Sequence, residues 1–154
     1  MDLEAAFERD PLDDDAFTGL RRAYKKDGDV GKLAGLLEKR AARLEDGHAA
    51  AELYWEAAEL TQAAGDARHA EELIRRALAR HPAHPQAAMR VKEKLRTEGR
   101  LTEYADVVSR ELETLEQARA EPRRVAELHH ELGGLYEEHF ARLDRAMQHY
   151  QAAF

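Results

Sequence analysis

At 154 residues, without one cysteine and with a formal net charge of -7, the chain excludes structural disulfides, thiolate zinc sites, catalytic thiols and cysteine-linked lipid anchors. Its summed field also repels polyphosphates, so neither nucleic acid nor an anionic membrane is an expected partner. Charged residues at 36% and aromatics at only 6%, with sparse proline and glycine, describe helices with small side chains and solvated outer faces; the acidic opening MDLEAAFERDP is no secretion signal and no stretch is apolar enough to cross a bilayer, so a soluble, cytoplasmic chain is expected.

Periodicity, turn residues and prolines predict helices over 2–9, 13–27, 30–45, 48–63, 67–80, 85–98, 101–119, 122–139 and 142–153. Asp13, Asp14 and Asp15 follow Pro11 at a helix start, where carboxylates cap free amides and complement the helix dipole. Leu33, Leu36 and Leu37 then share one face, as do Leu53, Ala57, Leu60 and Ala64 in the next segment and Leu73 and Ala77 in the one after. Three glycine turns align along the chain, AYKKDGDVGKL, LTQAAGDARHAEEL and KLRTEGRLTEY, each joining two helical segments through Gly28, Gly65 or Gly99. Glycine tolerates the left-handed helix end that such a turn needs. The prolines at 11, 82, 85 and 122 fall at the other junctions, and none interrupts a helix interior. A single helical pair buries too little apolar surface to offset its conformational entropy, so stacking between pairs must supply the stability.

The glycines lie 37 and 34 residues apart, and the segment AELYWEAAELTQAAGDARHAEELIRRALARHP resembles the tetratricopeptide repeat family, whose period is about 34 residues. The resemblance rests on Tyr54, Ala57 and Ala58, the Gly65-Asp66 turn, Ala70, Ile74, Ala77 and Leu78, and the closing Pro82, with Thr61 standing where the family usually has tyrosine. Phe17, Leu20, Tyr24 and the Gly28-Asp29 turn continue the register backwards, although Leu33 and Arg40 fill slots where alanine is usual. Val91, Leu95, Gly99, Val108 and Leu112 continue it forwards with Tyr104 in a normally small slot, and His129, Leu132, Gly133, Tyr136, Ala146, Tyr150 and Ala153 complete a last unit with a longer turn. The resemblance implies an all-α fold, a right-handed superhelical solenoid of antiparallel helix pairs forming a single repeat domain over 1–154. Residues 1–11 would end a preceding repeat, and about 12–47, 48–84, 85–121 and 122–154 would be successive repeats. Ala6, Phe7 and Pro11 have the spacing of a second helix without its first, and neither terminus supplies a polar cap. The expectation is a segment of a longer bacterial-type array, or one whose ends self-associate through Phe7 and Phe154.

Eight histidines invite a metal reading, but His129 and His130 are adjacent and point about 100° apart on a helix, while His81 and His84 flank prolines in a turn, and no His-Glu-x-x-His run is present. Solvated turn histidines, no metal and no cofactor are expected. Glu137, Glu138 and Asp13 to Asp15 have the bland reading of helix faces and caps. The sequence holds no phosphate-cradling glycine loop and no nucleophile elbow, and Gly133-Gly134 lies within a helical pattern, so no catalytic residue is assigned and no enzyme is expected.

In the family the first helix of each pair lines a concave face. The resemblance places Thr18, Arg22, Lys25 and Lys26 there, followed by Glu52, Trp55, Glu59 and Gln62, by Gln86, Met89, Glu93 and Arg96, and by Glu127, His130, Gly134 and Glu137. Partner contacts are expected at Arg22, Lys25, Lys26, Trp55, Glu59, Met89, Arg96 and His130. Trp55 adjoins the core residue Tyr54, so partial exposure is expected, either as a groove contact or packed against the next repeat. Arg22, Lys25 and Lys26 form a basic stripe that suits an acidic peptide, the alternative being a solvated face paired with Asp29 or a neighbouring repeat. The expected function is a non-catalytic scaffold holding a protein or peptide. The alternatives are a structural spacer or self-assembly segment and a small acidic chaperone of the secretion type. The co-chaperone carboxylate clamp needs asparagine, which the chain lacks.

Overall fold

The computed structural model describes residues 2–139 and 143–153. They form α1 (Leu3–Arg9), α2 (Asp14–Asp27), α3 (Val30–Arg43), α4 (Gly47–Ala63), α5 (Ala67–Arg80), α6 (Pro85–Thr97), α7 (Leu101–Ala118), α8 (Pro122–Glu138) and α9 (Leu143–Ala153), with no strand among the described residues. The chain divides into two compact units, Met1–His81 and Pro82–Phe154. In each, every helix packs on the next in sequence, α1 through α5 in the first and α6 through α9 in the second.

Local chemistry sets the boundaries. The side chains of Asp2, Asp13, Asp29, Asp46 and Asp66 each accept a backbone N–H in the first turn of α1 to α5, and His84 does the same for α6 through Nδ1, 3.1 Å from the Ala87 nitrogen. Pro85 and Pro122 stand at the starts of α6 and α8, where a missing N–H costs nothing. Gly28, Gly65 and Gly99 have φ of 68°, 93° and 72°, the left-handed geometry that closes α2, α4 and α6. α3 stops two residues short of its expected end because Leu44 is extended, at φ -68° and ψ 134°.

In the first unit, ion pairs fix which helix faces which. Arg21 of α2 grips Glu56 of α4 with Nη2 at 2.7 and 2.6 Å from its two oxygens. Glu38 of α3 receives Arg76 Nη1 at 2.7 Å and His69 Nε2 at 3.1 Å from α5. First helices of successive pairs therefore meet each other, and so do second helices. Arg80, at the end of α5, donates to the carbonyls of Ala41, Leu44 and Glu45 at the exit of α3. Arg40, at the end of α3, reaches back to the Pro11 carbonyl at 3.4 Å and lies 4.4 Å over the Phe17 ring. These charged donors tie each pair to the turn before it, at about 1.5–3 kcal/mol per hydrogen bond. The alanine-favouring slot at Arg40 is thus filled by a largely covered side chain that lies over Phe17 and reaches back to the preceding turn.

Two expectations are corrected. Trp55 is only 9% exposed, not partly open to solvent. α4 is covered by α3 on one side and α5 on another, and Ala50, Ala51, Tyr54, Ala57, Ala58 and Thr61 are buried with it, so adjacent residues about 100° apart both find cover. Phe7 is 3% exposed, its ring centroid 6.5 Å from that of Phe17, so it belongs to the core; Phe154 lies outside the described residues. In the second unit the core joins Leu95, Tyr104, Val108, Leu112, Leu115, Leu128, Leu132 and Leu135.

Candidate functional site

α2 carries the basic stripe. Arg22, Lys25 and Lys26 are exposed, and among the described residues none of the three side chains has a hydrogen-bond or ion-pair partner. Arg21, one residue earlier and about 100° around the helix, is the cation committed to Glu56. Most basic groups around the stripe are likewise engaged: Lys32 lies 5.8 Å over the Tyr24 ring, Lys39 pairs with Glu8 at 2.8 Å, and Arg40 pairs with Asp14. The Asp29 side chain, which could have neutralised the stripe, caps α3 by accepting the Lys32 backbone N–H at 3.0 Å. Glu59 is exposed on α4, while Trp55 is inside.

In the second unit, Met89 is 63% exposed on α6. Arg96 is exposed but its guanidinium is engaged within the unit, donating from Nη2 to the Tyr104 hydroxyl at 2.7 Å and lying 5.1 Å over the ring. His130 is exposed beside the Tyr150 ring, 5.2 Å between centroids, whereas His129 is buried. The expected divergence of these neighbours is therefore observed. The solvated turn histidines are observed in part: His139 is exposed in the turn after α8, but His84 is fully buried as a cap, and on α8 His129 faces His149 with Nδ1 to Nδ1 at 2.7 Å.

Sequence patterning missed a buried ion cluster between α6, α7 and α8. Glu111 is 2% exposed and accepts from Arg124 Nη2 at 3.0 Å and Nε at 3.3 Å, with Lys92 Nζ 3.7 Å from its other oxygen. Lys92, 8% exposed, lies also 3.5 Å from Glu131, which accepts the Tyr104 hydroxyl proton. Burial, then the Glu131 carboxylate, push the Tyr104 hydroxyl up to about 12. A phenol held so firmly protonated is a poor nucleophile or base at neutral pH, and each carboxylate in the cluster already has a cation against it. The arrangement serves packing. The only early signals were charged residues falling on the inward stripes of α6 and α7.

A cleft of about 520 Å³ is lined by Thr102, Glu103, Ala105, Asp106, Ser109, Tyr136 and Arg145. Asp106 pairs with Arg110 at 3.2 Å and Glu103 with Arg100. Among the described residues no three histidine, aspartate or glutamate side chains are grouped to hold a metal ion, and no helix is long and apolar enough to cross a membrane.

No protein-family model matches the sequence, and no curated protein matches it. Among solved structures the chain is similar to MamA, at 16% identity and TM-score 0.44 over 98% of this chain and 82% of that one. It is also similar to a Podosopora anserina kinesin light chain protein described as having nearly identical TPR-like repeats, at 19% identity and TM-score 0.45 over 93% of this chain and 74% of that one. The all-helical, tetratricopeptide-like repeat architecture stands on the chain's own glycine turns, helix pairs and pair-to-pair ion contacts.

Proposed function

We propose that the chain is a non-catalytic docking scaffold whose first unit receives an acidic segment of a partner protein along α2. The observation that carries this reading is the contrast on that helix: Arg21 is neutralised by Glu56, while Arg22, Lys25 and Lys26 point to solvent without a counter-charge among the described residues. In a chain with 31 acids and 24 bases, three adjoining unneutralised cations are a local exception to the net field. A docked carboxylate would supply the missing partners, with charge-assisted hydrogen bonds from the arginine fork and the two ammonium groups.

Glu59, Met89, Arg96 and His130 remain contact candidates of lower priority. Arg96 is already held by Tyr104, and Met89 offers an adaptable exposed thioether. Trp55 is no longer an exposed anchor, so its replacement by alanine reports on stability rather than on partner contact. The test is fluorescence anisotropy of a labelled glutamate-rich decapeptide against the full chain, with a lysine-rich peptide as control. The triple substitution Arg22→Glu, Lys25→Glu, Lys26→Glu is expected to weaken glutamate-peptide binding at least tenfold while circular dichroism is unchanged. At about 0.1 M salt, where the distributed negative charge that attracts the lysine-rich control is screened, equal binding of both peptides by the unsubstituted chain, or an unaffected triple variant, sinks the proposal.

A further inference from the structure

α9 docks on α8 through residues 146, 149 and 150, one face at helical spacing. Ala146 is 2% exposed. The Tyr150 ring lies against the α8 backbone at Gly133, so close that a Cβ there would stand 2.7 Å from the ring, and the Tyr150 hydroxyl donates to Glu137 at 2.8 Å. Between these contacts, His149 Nδ1 is 2.7 Å from His129 Nδ1, and Tyr136 stacks on the His149 ring at 5.7 Å between centroids and 12° between planes.

Two ring nitrogens at that separation need one proton between them. Glu116 of α7 lies 3.7 Å from His129 Nε2, which favours the tautomer with its proton on Nε2 and leaves the Nδ1 lone pair free to accept. His149 is then the donor through Nδ1. A first added proton goes to His149 Nε2 and keeps this bond, now charge-assisted. A second has only the shared lone pair to occupy, and sets two N–H groups head to head.

We propose that the His129–His149 contact is a proton-operated latch that holds α9 on α8 while the pair carries at most one positive charge and releases it when both imidazoles are protonated. The charged and titratable groups facing the pair are Glu116 from α7, Tyr136 from α8 and Arg145 on α9 itself, whose guanidinium lies 5.7 Å over the Tyr136 ring. Burial first, then the neighbouring His129, push the His149 pKa down from 6.5; Glu116 pulls it up and Arg145 pushes it down again. A folded-state value below the unfolded one means that the contribution to docking is full above the unfolded value. It is lost as pH falls below about 6.5 toward the depressed one. Tyr136 and Arg145 also line the cleft beside α7, so release of α9 removes one of its walls.

The test is hydrogen exchange of the full chain at pH 7.5 and 5.0, corrected for intrinsic rates. Protection of α9 amides is expected to fall at least about tenfold on acidification, with α2 to α5 unchanged. His149→Gln presents an amide to His129 without taking up a proton, so its α9 protection should be equal at the two pH values. Unchanged protection in the unsubstituted chain, or an equal fall in His149→Gln, overturns the latch. Should His149→Gln leave α9 unprotected already at pH 7.5, nitrogen-15 imidazole spectra of the unsubstituted chain decide. One protonated and one bare Nδ1 at pH 7.5, both protonated on release, support it; two bare Nδ1 nitrogens overturn it.

Discussion

Removing the Glu111 carboxylate while keeping its shape leaves Lys92 facing only Glu131 and strips Arg124 of its inner partner, in a site where Glu111 is 2% and Lys92 8% exposed. Breaking one member of a buried ionic set is costly because an uncompensated charge remains, so Glu111→Gln is expected to destabilise the second unit by about 3–5 kcal/mol, read from urea unfolding. Replacing an exposed carboxylate such as Glu113 on the same helix should change stability by less than about 0.5 kcal/mol. Equal effects at the two positions would show that the cluster is as hydrated as the surface. The position of Lys92 and Glu111 on the inward stripes of α6 and α7 was the one sequence signal of the cluster, and it does not identify their partners, because helical charge is read as solvated by default. Only the meeting of α6, α7 and α8 turns these particular charges inward. The same holds for His149, whose partner lies 20 residues away in sequence.

At the scale of elements, helix starts and ends were largely legible because they depend on neighbours in sequence. Aspartate caps and left-handed glycines act within a few residues, so α2, α4 and α6 end where their glycines predict. Gly65 has open space where a Cβ would stand, so its requirement is conformational rather than steric. Gly65→Ala should therefore cost about 1–2 kcal/mol, the price of a left-handed non-glycine residue. Arg119 is the converse case, a side-chain-bearing residue held at φ 51° where α7 ends. Arg119→Gly is expected to raise stability by about 0.5–1 kcal/mol, measurable as a higher urea midpoint at unchanged slope. A loss instead would mean that the Arg119 side chain makes a contribution outweighing its backbone strain. Trp55 escaped correct placement because exposure is a property of the layers around α4, and periodicity within one helix does not count how many sides are covered.

For the molecule as a whole, net charge and the α2 stripe make opposing contributions to capture of an acidic peptide, and salt separates them. The net charge of -7 is spread over 154 residues and repels the peptide at long range, whereas Arg22, Lys25 and Lys26 attract it at contact. The Debye length is about 30 Å at 0.01 M salt and about 10 Å at 0.1 M, so the first addition of salt screens the distributed repulsion while leaving contact attraction largely intact. Higher salt then weakens the contact pairs themselves. Affinity for the glutamate-rich peptide should accordingly rise from about 0.01 M to a maximum near about 0.1 M and fall beyond it. The lysine-rich control, attracted by the distributed charge, should lose binding monotonically. A monotonic fall for the acidic peptide as well would show that its encounter is governed by the stripe's field alone. No rise and no fall would show that its binding is not electrostatic, and would remove the stripe from the docking surface.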